Sequence, residues 1–151
     1  MCGIFGIVSN TKPVNSFRNH VEVAISSLSH RGPDNSGIIE FDQVILAHSR
    51  LSIIDLEHGN QPMVSLDKNR WIVFNGEIFN YKSLRKELIQ LGYAFNGYSD
   101  TEVILVAYEH YGKDCVNYFQ GMFAFTIYDL NSKELFAARD RYGLKPFYYA
   151  L

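Results

Sequence analysis

Met1-Cys2-Gly3-Ile4-Phe5-Gly6 opens the chain, and the reading of this stretch organises the rest. The apolar, β-branched run from Gly3 to Val8 has the character of a buried strand, which places Cys2 at a strand end. Cysteine is small enough for methionine aminopeptidase to remove the Met1 before it, leaving one residue with both a thiol and a free α-amine. Such an amine titrates at about 7.7–8.0 and a free thiol at about 8.5, so at neutral pH the amine can accept the thiol proton, directly or through a water. An N-terminal amine acting as the base is a known form of the nucleophile-plus-base pair. On this stretch alone, a small buried residue starting a strand is the simpler reading of Cys2.

A length of 151 residues with 47% hydrophobic content is enough for one domain with a sizeable core. A net charge of -2, with no basic run interleaved with aromatics, gives nucleic-acid binding little electrostatic basis. No apolar run approaches the ~18 residues of a membrane span, and no charged segment followed by an apolar core opens the chain. The expectation is a soluble, cytoplasmic protein without membrane contact. Cys2 and Cys115 form no CxxC pair or disulfide framework, and Cys115 reads as an inert helix residue. The five histidines lack HExxH or HxH spacing, so no metal site is expected.

Val14, Phe17, Val21, Ala24, Ile25 and Leu28 recur at helical spacing. His30-Arg31-Gly32-Pro33-Asp34 breaks that pattern, strand-like runs follow over 37–41 and 44–51, and a polar loop covers 56–63. A strand over 71–74 enters Asn75-Gly76-Glu77, where an Asn-Gly pair is a strong turn signal because both residues tolerate positive φ. Leu84, Leu88 and Leu91 mark a second helix closed by Gly92. Ser99-Asp100-Thr101-Glu102 has the form of a capping box opening a third helix, with Val103, Val106, Ala107 and Tyr111 as its apolar stripe and Gly112 as its stop. A short helix with Val116 and Phe119 comes next. Residues 122–130, 131–133 and 134–139 read as strand, turn and strand, and 146–151 as a final strand. Short connections between neighbouring strands imply antiparallel pairing, and helices arriving in two groups give an α+β class.

The opening stretch, His30-Arg31-Gly32-Pro33-Asp34, Ala47-His48-Ser49-Arg50-Leu51-Ser52-Ile53, Asn75-Gly76-Glu77-Ile78-Phe79-Asn80, Ser99-Asp100-Thr101-Glu102-Val103, Gly121-Met122-Phe123-Ala124-Phe125 and Arg139-Asp140-Arg141-Tyr142-Gly143-Leu144-Lys145-Pro146 occur in order along the chain. Together they resemble the class II glutamine amidotransferase domain of glutamine-hydrolysing asparagine synthetases. The resemblance spans essentially all of residues 1–151. It implies an N-terminal-nucleophile hydrolase fold, a four-layer α/β/β/α sandwich of two antiparallel sheets between helices. Leu51-Ser52-Ile53-Ile54-Asp55 stands where glucosamine-phosphate synthases and amidophosphoribosyltransferases carry a Trp-Ala-Thr-His-Gly type sequence, which favours the synthetase branch. No Ser-Gly-Gly loop for ATP occurs, so ATP and Mg²⁺ are expected to belong to a synthetase domain absent from this chain, and no cofactor to this one.

Hydrolysis of a glutamine side-chain amide needs a nucleophile, a proton relay, oxyanion donors and amino-acid recognition. The resemblance gives Cys2 the attack that forms a glutamyl thioester, with its own amine relaying the proton. The Asn75 side-chain amide and Gly76 N–H are candidate oxyanion donors, against a plain Asn-Gly turn. Arg50 suits the substrate carboxylate through its planar fork, against a surface ion pair. Asp100 and Glu77 suit the α-ammonium, although Asp100 also lies where a helix dipole favours acids and Glu77 could instead orient the turn. Backbone at Ile53 and at Gly76 is a further candidate for substrate contact, one that side-chain identity cannot show. Arg31 and Asp34 read as loop-ordering, Arg139, Asp140 and Lys145 as a buried ion-pair network or a face towards a partner domain, and Tyr148 and Tyr149 as core or interface. The expected partners are glutamine and an ammonia-accepting synthetase domain on the same full-length chain, the apolar end at 146–151 suggesting excision from a longer polypeptide. The alternatives are a non-catalytic glutamine-binding or interaction domain, and the amidotransferase half of a related synthetase with another acceptor.

Overall fold

The computed structural model describes residues 1–53, 55 and 58–151. Ile54 of the branch-distinguishing stretch and the first two residues of the expected loop 56–63 lie outside the described residues. The elements run β1 (Gly3–Val8), a 3-10 turn (Val14–Phe17), α1 (Arg18–Ser27), β2 (Asn35–Glu40), β3 (Val44–Arg50), β4 (Met63–Val64), β5 (Arg70–Ile78), α2 (Tyr81–Gln90), α3 (Asp100–Tyr111), a 3-10 segment (Gly112–Tyr118), β6 (Gly121–Asp129) and β7 (Glu134–Arg139). They form two antiparallel sheets, ordered β1-β3-β2 and β4-β5-β6-β7. The α+β class and the paired antiparallel sheets match the expectation from sequence.

Strand alternation explains the layering. In β3, Ile45 and Ala47 turn to one face and pack with Val14, Val21 and Ile25 of the first helical segment. Val44 and Leu46 turn to the other face and meet Val73 and Tyr128 of the second sheet. Every residue of β3 is therefore buried. On the far side of the second sheet, Ile72, Phe74, Phe123, Phe125 and Ile127 cover Leu84 and Leu88 of α2 and Val103, Ile104 and Ala107 of α3. The result is four layers: α1, sheet, sheet, and the α2–α3 pair.

The helix ends follow local chemistry. Gly92, at φ 95, donates its N–H to the Ile89 carbonyl and closes α2 in the left-handed region that favours glycine. Ser99 Oγ accepts the Glu102 N–H at 3.2 Å, half of the expected capping box. The Glu102 carboxylate instead takes the N–H groups of Asn96 and Gly97 at 2.6 and 2.9 Å, which ties the α2–α3 loop to the start of α3.

The structure corrects several expectations. Asn75-Gly76 is not a turn: β5 runs straight through to Ile78, with Asn75 opposite Ala124 and Gly76 opposite Phe123. β6 supplies a continuous partner, so the ladder overrides the local turn preference. No strand forms over 146–151, because the chain is first turned at 140–145. There the Asp140 carboxylate accepts the N–H groups of Phe123, Leu144 and Lys145, and the Arg139 guanidinium donates to the Gly143 and Lys145 carbonyls. Arg139, Asp140 and Lys145 thus build a main-chain cradle through hydrogen bonds, and among the described residues they form no ion-pair network, the first of the two roles expected of them. Residues 146–151 then line an apolar groove of about 660 Å³ shared with β1, and Tyr148 and Tyr149 are exposed and fill no core.

Candidate active site

Two main-chain facts build the site. In an antiparallel ladder, alternate residues turn their N–H and C=O groups to the same side. Phe79 N–H reaches Gln120 on the β6 side, so the odd residues of this stretch face β6 and Phe74, Gly76 and Ile78 face away from it. By register Gln61 stands opposite Phe74, but β4 begins only at Met63. Side chains therefore do what a strand would have done: Gln61 Oε1 accepts the Phe74 N–H at 2.6 Å, His48 Nε2 donates to the Phe74 carbonyl at 3.1 Å, and Asp100 Oδ2 accepts the Ile78 N–H at 3.1 Å. Between these braces lies Gly76, and its N–H is turned into a cavity of about 140 Å³. A Cβ on Gly76 would sit 2.2 Å from the Met122 carbonyl oxygen and 2.7 Å from Phe123 Cα, so glycine is required here for close approach to β6.

The second fact concerns Cys2, which precedes β1 and also lines the cavity. Leu51 N–H donates to Cys2 Sγ at 3.4 Å, and the thiol lies 3.8 Å from the Leu51 carbonyl. Arg31 Nε donates to the Cys2 carbonyl at 3.1 Å. Asp34 Oδ2 accepts the Ser52 N–H at 2.7 Å, and Asp34 N–H donates to the Arg50 carbonyl. The His30–Asp34 loop is thus a device that holds both Cys2 and the 50–52 segment, in keeping with a loop-ordering role. Met1 is peptide-bonded to Cys2 and lines the same cavity, its sulfur 3.2 Å from Lys145 Nζ. In this form the Cys2 nitrogen is an amide and has no basic lone pair.

The charged residues stand around the same space. Asp100, at the start of α3, is 5% exposed, and its Oδ1 also accepts the Thr101 N–H at 3.0 Å. Burial pushes its carboxyl up to about 6; hydrogen bonds from Ile78 and Thr101 pull down, and the nearby Glu77 charge adds to the rise. Asp100 therefore both holds N–H groups at the start of α3 and in β5 and lines the cavity. Arg50 ends β3, is 4% exposed, and donates to Asn60 Oδ1 and to the Asp55 carbonyl, each at 2.7 Å. Arg50 is thus a buried residue, not a surface one. Glu77 lines the cavity half-buried, and Ile53, at 76% exposure, forms its rim.

Cys2, Arg50, Ile53, Asn75, Gly76, Glu77 and Asp100 are all brought together around one cavity. Sequence reasoning missed Gln61, Thr101, Met122 and Lys145 on its wall, and His48 behind it. Gln61 Nε2 also donates to Thr101 Oγ1 at 3.3 Å, linking the brace on Phe74 to α3. Pro62 was the available signal: it cannot donate to a ladder, so a strand there starts late and leaves Phe74 to be satisfied otherwise.

A family model described as a glutamine amidotransferase domain matches residues 1–151. The chain is 44% identical to asparagine synthetase (glutamine-hydrolyzing) 1 of Bacillus subtilis, over 99% of this chain and 24% of that protein. It is 40% identical to asparagine synthetase B (glutamine-hydrolyzing) of Escherichia coli, over 98% of this chain and 26% of that protein. It is also 39% identical to the amidase chyE of Penicillium rubens, over 100% of this chain and 24% of that protein. The chain thus spans about a quarter of the length of these relatives. Among solved structures, glutamine phosphoribosylpyrophosphate amidotransferase from B. subtilis, complexed with ADP and GMP, superposes with a TM-score of 0.74 at 21% identity, covering 97% of this chain and 38% of that one. That likeness carries the fold alone, the layered sandwich of two antiparallel sheets between helices. With the family match and the relatives each covering essentially all of residues 1–151, the chain belongs to the glutamine amidotransferase domain family.

Proposed function

We propose that residues 1–151 form one amidotransferase domain that hydrolyses glutamine to glutamate and ammonia through a thioester on Cys2, as the glutaminase half of an asparagine synthetase-like enzyme. One observation carries this reading: a thiol, an outward main-chain N–H at Gly76 and the carboxylates of Glu77 and Asp100 face a single cavity. At about 10–15 Å³ per water-sized sphere, that cavity has room for on the order of ten such spheres. This is the scale of a free amino acid.

Removal of Met1 converts the Cys2 nitrogen into an amine, which takes the thiol proton. The thiolate attacks the side-chain carbonyl carbon, and negative charge gathers on its oxygen, where the Asn75 amide and Gly76 N–H serve as donors. The amine returns the proton to the departing nitrogen, ammonia leaves, and water closes the thioester to give glutamate. Arg50 takes the substrate carboxylate, Asp100 and Glu77 its ammonium, and backbone at Ile53 the rim contact. No step draws on a cofactor in this domain. ATP and Mg²⁺ belong in this reading to a synthetase domain on the same full-length chain, consistent with the quarter-length coverage of the relatives, and the setting is the cytoplasm.

The test incubates these 151 residues, processed to begin at Cys2, with glutamine, aspartate, ATP and Mg²⁺. Glutamate and ammonia should accumulate without AMP or asparagine. New amide coupled to AMP would overturn the half-enzyme reading, and absence of glutamate would overturn catalysis. The second reading, glutamine binding without turnover, applies only to protein that retains Met1, because its Cys2 nitrogen is then an amide.

A further inference from the structure

His48 is the buried titratable group that the chemistry above does not use. It lies in the middle of β3, on the face where Val44 and Leu46 meet the second sheet. Its exposure is 0%. What the position does require is a donor. The Phe74 carbonyl faces away from β6 and has lost its ladder partner, because β4 begins two residues too late. His48 Nε2 supplies that donor at 3.1 Å, while Gln61 Oε1 takes the N–H of the same residue.

The carbonyl belongs to the Phe74–Asn75 peptide, the peptide that leads directly into the Asn75 side chain and the Gly76 N–H. We propose that His48 is a positioning residue for the oxyanion donors, bracing the β3 sheet against the Phe74 carbonyl so that Asn75 and Gly76 keep their aim when the substrate oxygen becomes charged. This rests on the glutaminase reading given above. An acceptor-only carbonyl requires the proton on Nε2, and Nδ1 has no hydrogen-bond partner among the described residues. The ring is therefore neutral, in agreement with burial and the nearby Arg50 charge lowering it to about 4. A neutral strut keeps a fixed hydrogen bond throughout the pH range in which a thiolate and an amine exchange a proton.

Two variants and two readouts test the assignment. H48L keeps the volume and removes the donor; H48Q retains a terminal N–H that reaches where Nε2 lies. Glutamine turnover needs oxyanion stabilisation, whereas alkylation of Cys2 by iodoacetamide is a direct displacement that does not. In H48L, kcat should fall about 10- to 100-fold, the scale of a misplaced reacting group. KM and the iodoacetamide rate should each stay within about threefold, because a donor used only in the transition state is what has been moved. H48Q should recover most of the loss. Should H48L not fold, H48M takes its place, and ¹⁵N spectra of the unaltered protein should show the Nε2–H tautomer of a neutral ring from pH 5 to 8. Unchanged kcat in the donor-less variant, parallel loss of turnover and alkylation, an inactive H48Q, or an Nδ1–H tautomer would each overturn the proposal. An unaltered protein that is alkylated at Cys2 but does not hydrolyse glutamine fails the glutaminase reading itself, a result distinct from an active protein indifferent to His48.

Discussion

Consecutive residues of β5 face the cavity in two different ways. At Asn75 and Gly76 the groups offered are uncharged donors, and their placement comes from main-chain geometry: β6 on one side, side-chain braces on the other. At Glu77 the wall becomes ionic, with Glu77 beside a buried Asp100 whose carboxyl is raised to about 6 by burial. The first region is suited to a charge that exists only in passing, the second to charges the ligand brings with it. Substitutions in the first should therefore move kcat, and substitutions in the second KM.

The largest effect belongs to the nucleophile. Cys2→Ala should abolish glutamine hydrolysis with the thermal midpoint near that of the parent; residual turnover at a measurable fraction would place the reactive group elsewhere. Next comes Asn75→Ala, expected to lower kcat by about 10²–10³ with a much smaller change in KM. An effect confined to KM would erase the distinction between the two regions.

The ionic region is probed by pH. A carboxyl raised from 3.8 to about 6 means that the folded protein binds this proton more tightly than the unfolded chain. The stabilising effect is full below pH ~4 and lost as pH rises through about 6, so ionised Asp100 costs the ligand-free fold about 3 kcal/mol at neutral pH. A ligand ammonium offsets that cost only when Asp100 is charged. KM for glutamine should accordingly rise as pH falls through about 6, and Asp100→Asn should raise KM about 100-fold at pH 7.5 and flatten this limb. A limb unchanged in Asp100→Asn would assign the titration to another group. The smallest effect is Arg50→Lys: replacing a planar fork by a point charge should raise KM about tenfold with kcat nearly preserved.

The same contrast explains what was legible in the sequence. Cys2 at a strand start, Gly92 after α2, Ser99 before α3 and the buried segment 44–50 follow from signals carried within a few residues. Asn75-Gly76 did not, because an Asn-Gly pair is a turn signal only while no partner strand competes for it. Residues 131–133, where Lys133 takes φ 58, show the genuine turn between β6 and β7. Gly76 is glycine for its approach to Met122 and Phe123, a contact more than forty positions away in sequence. His48 and Gln61 are harder still to read, since each answers a main-chain group stranded by where β4 begins. Cys115 is the converse case: its inert character was plain, and burial pushes its thiol up to about 12.

A glutamyl group carried on Cys2 during turnover can be trapped by quenching the reaction with acid and located by intact mass and peptide mapping. The active species should lack Met1 and gain the mass of one glutamyl group located on Cys2. Steady turnover by protein with Met1 fully retained, or a glutamyl group found on Cys115, would contradict this.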